Sequence, residues 1–232
     1  VTLRGGWQLN PSVNRNFYVI DPSVAAGVQA PTVEGELVPW DPSTRLEGLW
    51  KGSLGVTTPV YGRFNASVTV LYGAVPVFVE GIEGRELRTT ASLLVRPTPG
   101  TRVEATITES RIRRELDGST YARVTIPRLK AEYQPTRALF FRVVSQYRAD
   151  RVSALRLRGT TLPLYDMAGR AIGATDARTL RTDWLVQYEP SPGTIAFFGY
   201  GDGWQSPGVP DDIDLRRRND GFFVKLAYLF RR

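Results

Sequence analysis

Apolar side chains recur at every second position along most of this chain, and a period of two favours extended strands over helices. In GRFNASVTVLY, Phe64, Ala66, Val68, Val70 and Tyr72 share a face opposed by Arg63, Asn65, Ser67 and Thr69. ELRTTASLLVR sets Leu87, Ala91, Leu93 and Val95 against Arg88, Thr90, Ser92 and Arg96. TRVEATIT sets Val103, Ala105 and Ile107 against Arg102, Glu104, Thr106 and Thr108. ALFFRVVSQYR and LRTDWLVQYE carry on with Phe141, Val143 and Tyr147, then Trp184, Val186 and Tyr188, against Arg142, Gln146, Arg181 and Asp183. The closing GFFVKLAYLFRR alternates again, with Phe222, Val224, Leu226, Tyr228 and Phe230 on one side and Lys225 on the other. YARVTIPRLKAEY breaks phase. Ala122, Val124 and Ile126 precede Pro127, whereas Leu129, Ala131 and Tyr133 follow it, with Arg128, Lys130 and Glu132 on the polar side. Proline donates no ladder hydrogen bond, so a β-bulge at Pro127 is expected to absorb the slip.

Composition removes much chemistry. The 232 residues contain no Cys and no His, which excludes thiol nucleophiles, disulfides, His-based triads, zinc centres of the usual kind and haem ligation through either residue. The net charge of +7 is dispersed and carried mostly by Arg. It fits solvated arginines or a surface for phosphate groups, since the longest basic run is only Arg216–Arg217–Arg218. No stretch approaches the ~20 apolar residues of a membrane helix, a result that leaves barrel strands open. No signal peptide or initiator Met is present, so Val1 is expected to begin a mature or truncated chain.

Two all-β architectures suit the pattern: a soluble sandwich with its apolar faces inside, or a membrane barrel with them outside. The connections favour the barrel. RPTPGT, QPTRA and EPSPGT are tight turns, whereas roughly 158–179 and 201–219 are long polar connections, well above ordinary loop length. An up-and-down meander whose ends face different compartments has that asymmetry. Residues 33–232 are read as barrel strands, about ten to twelve in the whole chain, each near the ~10 residues of a tilted membrane strand. Residues 1–32 (LRGGWQLN, NFYVID) have poor register and are expected to add one or two strands. Tyr133, Tyr147, Tyr188, Tyr228 and Phe230 are expected to form the lipid-facing aromatic girdle. The expected lumen charges are Arg88, Arg102, Glu104, Arg128, Lys130, Glu132, Arg142, Arg181, Asp183 and Lys225. With the C-terminus in the periplasm, the tight turns fall on the periplasmic side and the long connections outside.

YQPTRALFFRVVSQY, LVQYEPSPGTIAFFGYGD and DGFFVKLAYLFRR together resemble the C-terminal outer-membrane barrel region of a bacterial family of unknown function. In that family the barrel follows a domain similar to carbohydrate-binding family 9. The resemblance runs from about Arg96 to the end, and its motifs are turns and strand ends. It implies a larger barrel, of which this chain is the C-terminal part. The last strand also looks like the signal read by the outer-membrane assembly machinery, although Arg231 and Arg232 follow the aromatic Phe230 that usually comes last.

Catalysis is not expected. Asp183 with Glu189, or Glu104 with Glu109, could in principle flank a sugar, but such residues are more simply lumen charges partnered by Arg. Asp211, Asp212 and Asp214 lack EF-hand spacing, so a solvated loop is preferred to a calcium site. GYGDG (Gly199–Gly203) opens no helix, which argues against a phosphate cradle. No cofactor or nucleic acid is implied. The expected partners are the bilayer, other outer-membrane or surface subunits, and lipopolysaccharide phosphates at Arg216, Arg217 and Arg218. Two alternatives stand beside an anchor, pore or scaffold: an exported sugar-binding sandwich using an exposed Trp such as Trp204, and a glycan or peptide channel.

Overall fold

The computed structural model describes residues 1–228, so Phe230 lies outside the described residues. Twelve strands follow one another: β1 Gln8–Ile20, β2 Gln29–Pro31, β3 Leu37–Pro39, β4 Thr44–Thr57, β5 Phe64–Val77 and β6 Ile82–Thr98, then β7 Thr101–Arg114, β8 Thr120–Tyr133, β9 Leu139–Val152, β10 Thr175–Ser191, β11 Thr194–Gln205 and β12 Arg216–Tyr228. The one helical element among the described residues is a 3-10 turn at Pro22–Ala25. Ten strands form a single antiparallel sheet in the order β1-β4-β5-β6-β7-β8-β9-β10-β11-β12, and β2 and β3 make a small separate pair. The chain is all-β and meanders as its alternation predicts. Among the described residues β1 and β12 do not pair with each other, and the sheet is open there.

The connections sort by end. The segments 58–63, 99–100, 134–138 and 192–193 turn tightly at one end. At the other lie 21–43, 78–81, 115–119, 153–174 and 206–215. The longest folds back on the chain: Gln29 and Tyr165 exchange two backbone hydrogen bonds of 2.8 and 2.9 Å, which satisfies polar groups an unpaired loop would leave open. β1, drawn from the stretch of poor register, pairs with β4 from Gln8↔Thr57 to Ile20↔Thr44 around one irregularity at Asn16/Tyr18. The extra residue lies on β4, which advances from Leu46 to Leu49 while β1 advances from Asn16 to Tyr18, so β1 itself keeps its alternation throughout.

The closely packed core sits at the long-loop end, where Ile20, Leu49, Val77, Ile82, Ala122 and Leu164 are buried. β4 leaves β5 at Lys51↔Gly73, whereas β5 and β6 stay paired up to Val77↔Ile82. Gly73 permits the parting. Its φ is 159°, and a Cβ there would meet the backbone of Lys51 at 2.5 Å.

The bulge expected at Pro127 is absent. β8 runs against β7 without interruption from Tyr133 to Ala122, and Pro127 lies opposite Ile107. Against β9 the ladder omits Ile126 and Pro127 and resumes in the same register at Arg128↔Gln146. Instead of the strand slipping, its environment changes. Ala122, Val124 and Ile126 stay on the face that carries Arg128 and Lys130, where Ala122 is buried beneath the long-loop end. Arg123 and Thr125 stay on the face that carries Leu129 and Tyr133. Above Pro127 the apolar and polar faces trade character.

Candidate functional site

Cross-strand partners lie on the same side of a sheet, so the register assigns faces directly. Arg102↔Glu132↔Arg142, Glu104↔Lys130↔Val144↔Asp183 and Arg128↔Gln146↔Arg181 form three rows on one face. Arg88, opposite Ser110, and Lys225, opposite Phe197, complete the set, so all ten expected lumen charges share a face. Lys130 pairs with Glu132 at 2.8 Å and Arg181 with Asp183 at 3.2 Å, while Arg102 stands 3.5 Å from Glu104 and 3.9 Å from Glu132. Arg128 and Arg142 have no ion pair among the described residues. With Lys130 and Arg181 they line a groove of about 870 Å³. On β11, Gly201 and Gly203 stand on this face beside Asp183 and Asn219, and the GYGDG glycines make room for side chains of adjacent strands.

The same face holds a carboxylate that alternation does not single out. Glu86 is 3% exposed at its side chain and accepts from Arg88 at 2.6 Å, Ser110 at 2.8 Å and Lys51 at 3.3 Å. Its partners come from three strands, and only Arg88 is near it in sequence.

The opposite face is apolar and uncovered. Ile107 is 44% exposed, Leu129 48%, Trp184 52% and Phe222 75%, values of surface residues rather than of a core. Tyr133, Tyr188 and Tyr228 share this face at the tight-turn end, where Tyr133 stacks on Phe141 with ring centroids 6.5 Å apart. Tyr147 is on the same face but farther up, opposite Leu180. Ser145 and Thr182, polar residues on this face, hydrogen-bond each other at 3.3 Å. Two further aromatic residues, Trp50 and Tyr72, stand exposed toward the long-loop end. Between Phe64 and Tyr72 the apolar stripe of β5 rises eight residues, roughly 20 Å for a strand tilted ~40°.

At the long-loop end the Arg114–Glu80 pair ties distant segments together. Arg114 Nη2 and Nε donate to the two Glu80 oxygens at 2.6 and 2.7 Å, with both side chains at most 3% exposed. The guanidinium also donates to Ser119, to Ser153 and to the Ala154 carbonyl, and Glu80 accepts from the Arg156 backbone N–H at 2.9 Å. Both charges of this buried pair are met, as the low local dielectric requires. Outside the strands, the Arg85 hydrogen bond holds the Glu115 carboxyl below the ordinary range, the Ser119 hydroxyl does so for Asp117, and the Arg170 backbone N–H for Asp166.

The carboxylates that could in principle flank a sugar are not placed for glycoside chemistry. Glu104 and Glu109 project from opposite faces of β7. Asp183 and Glu189 are six residues apart on β10, roughly 20 Å, beyond the ~5–9.5 Å that such chemistry uses. Among the described residues no three acidic side chains gather as metal ligands, and Asp212 instead pairs with Arg216 at 2.6 Å. Arg217 meets Asp220 at 3.2 Å, the Tyr200 hydroxyl and the face of Trp204, whereas Arg218 has no partner among the described residues. Comparison with family models, curated proteins and solved structures finds no match to this chain.

Proposed function

We propose that this chain is the wall of a bacterial outer-membrane β-barrel, serving as anchor, pore or scaffold without catalysis of its own. The carrying observation is the pairing of faces: an exposed apolar surface edged by tyrosines, directly behind a surface of ten charges. Water disfavours the first and favours the second. A soluble sandwich would bury such apolar faces against each other, and a sugar-binding Trp204 would stand free of Arg217. The resemblance to a barrel that follows a carbohydrate-binding family 9-like domain points the same way. On this reading the tight turns and the C-terminus are periplasmic. The open edges of β1 and β12 close on each other or on further strands of a larger barrel.

Protein folded in outer membranes should fractionate with them, require detergent for extraction and migrate on gels in a heat-dependent way. Recovery as a soluble monomer without detergent would sink the proposal. A second reading, passage of solutes, is favoured by one observation: a broad groove is lined by Arg128, Lys130, Arg142 and Arg181 together with Asp183, Asp202 and Asp220, and Arg128 and Arg142 lack carboxylate partners among the described residues.

A further inference from the structure

A row of arginines crosses the apolar face at the height where it turns polar. Successive cross-strand partners are Tyr72↔Leu87↔Arg111↔Arg123↔Arg151, one residue from each of β5 to β9. Arg113, opposite Arg85, stands one step nearer the long-loop end. Like charges directly opposite on a sheet repel, so three arginines side by side need compensation. Part of it is internal: Glu115 holds Arg85 at 2.6 Å, Glu109 stands 3.6 Å from Arg123, and Asp176 holds Arg151 at 2.9 Å. Arg111 and Arg113 meet no carboxylate among the described residues, and with Arg85, Arg123, Tyr72 and Leu87 they line a hollow of about 370 Å³.

Directly toward the tight turns lies a second hollow, of about 540 Å³ and almost wholly apolar. It exists because the rows Ala66↔Leu93↔Ala105↔Leu129 and Val68↔Ala91↔Ile107↔Pro127 interleave alanines with large side chains. A cationic hollow above an apolar one matches a molecule with a phosphate at one end and hydrocarbon at the other.

We propose that Arg111, Arg113 and Arg123, with the apolar hollow beneath them, bind a phosphorylated, acylated lipid of the leaflet nearest the long connections. The phosphate lies on the guanidinium groups and an acyl chain lies along Ala91 and Ala105. This rests on the reading of the apolar face as membrane-facing. The site is separate from Arg216–Arg218, two of whose three arginines already have acidic partners.

The test uses the full chain folded into phosphatidylcholine nanodiscs containing bisphosphorylated lipid A, with dephosphorylated lipid A and inorganic phosphate as comparators. Native mass spectrometry reads the lipid retained. The wild type should retain the bisphosphorylated form selectively. R111Q/R113Q should lose roughly fivefold per arginine, about 25-fold in all, while R137Q in a tight turn should change nothing. Equal retention of both lipids, an unaffected double variant, or displacement by equimolar inorganic phosphate overturns the lipid site. If the double variant fails to fold, R123Q and the wild-type lipid comparison decide by the same criteria. Failure of the wild type to enter plain phosphatidylcholine overturns the membrane reading and this proposal together, whereas insertion without selectivity overturns this proposal alone.

Discussion

Replacing Ile107 by arginine asks directly what the apolar face meets. Ile107 lies between Ala91 and Pro127, four residues above Val103 and four below Arg111, so it sits roughly 10 Å from either border of the apolar stripe. The side chain is 44% exposed and already projects outward, and its replacement opens no core cavity. In water such a surface exchange costs within about 0.5 kcal/mol. At the middle of a bilayer an arginine on a barrel wall costs about 2–4 kcal/mol, a shift of roughly 30- to 850-fold in the folding equilibrium. Thr89→Arg supplies the depth control. It is on the same face one row nearer the border, directly opposite Glu109, and should cost about 0–1 kcal/mol. Both variants would be titrated with guanidinium in phosphatidylcholine vesicles, with folded fraction read by tryptophan fluorescence. If Ile107→Arg costs no more than Thr89→Arg, that face does not meet hydrocarbon and the barrel-wall reading fails.

Three further outcomes are expected. Glu80→Gln strands the buried Arg114 guanidinium and should destabilise the long-loop end by about 3–5 kcal/mol, while the double replacement Glu80→Leu/Arg114→Met should cost less; comparable losses in guanidinium titrations would contradict the account of a paired, desolvated knot. Glu115, Asp117 and Asp166 carry lowered carboxyl pKa values, so their contribution is complete above the unfolded value near 4 and is lost as pH falls through the folded one. Amide protection in 115–119 and 166–170, corrected for the intrinsic pH dependence of exchange, should therefore fall only below about pH 4; a step between pH 5 and 8 would point to another group, and the chain has no histidine to supply one. If the groove conducts, Arg142→Glu should shift single-channel selectivity toward cations, and unchanged selectivity in both Arg142→Glu and Arg181→Glu would end the channel reading.

What was legible in the sequence follows from the range of the signal. Side-chain direction in a strand reverses at each residue, so the face of Arg102 relative to Val103, or of Lys225 relative to Leu226, is decided by neighbours a single bond network away. The all-β class, the tight turns at Pro99–Gly100 and Pro192–Gly193, and the sharing of one face by ten charges could all be read that way. Pro127 shows the limit. The loss of its N–H is a local fact, but whether a ladder bulges or merely skips a bond depends on the strands beside it. Here β7 holds the register, and the apparent slip is a change of surroundings.

The tertiary structure decided the rest. Glu80 and Arg114 are 34 residues apart, and nothing in either neighbourhood marks them as partners. Arg111, Arg123 and Arg151 look like isolated surface charges until two registers align them. The sequence by itself determined the two faces of each strand, because alternation is written in adjacent residues. Only the fold decided which residues stand at the same height across the sheet, and where along the strands the polar and apolar sides exchange. Height is a sum of registers between distant segments, set by which pairings bury the most surface and leave the fewest charges unmet.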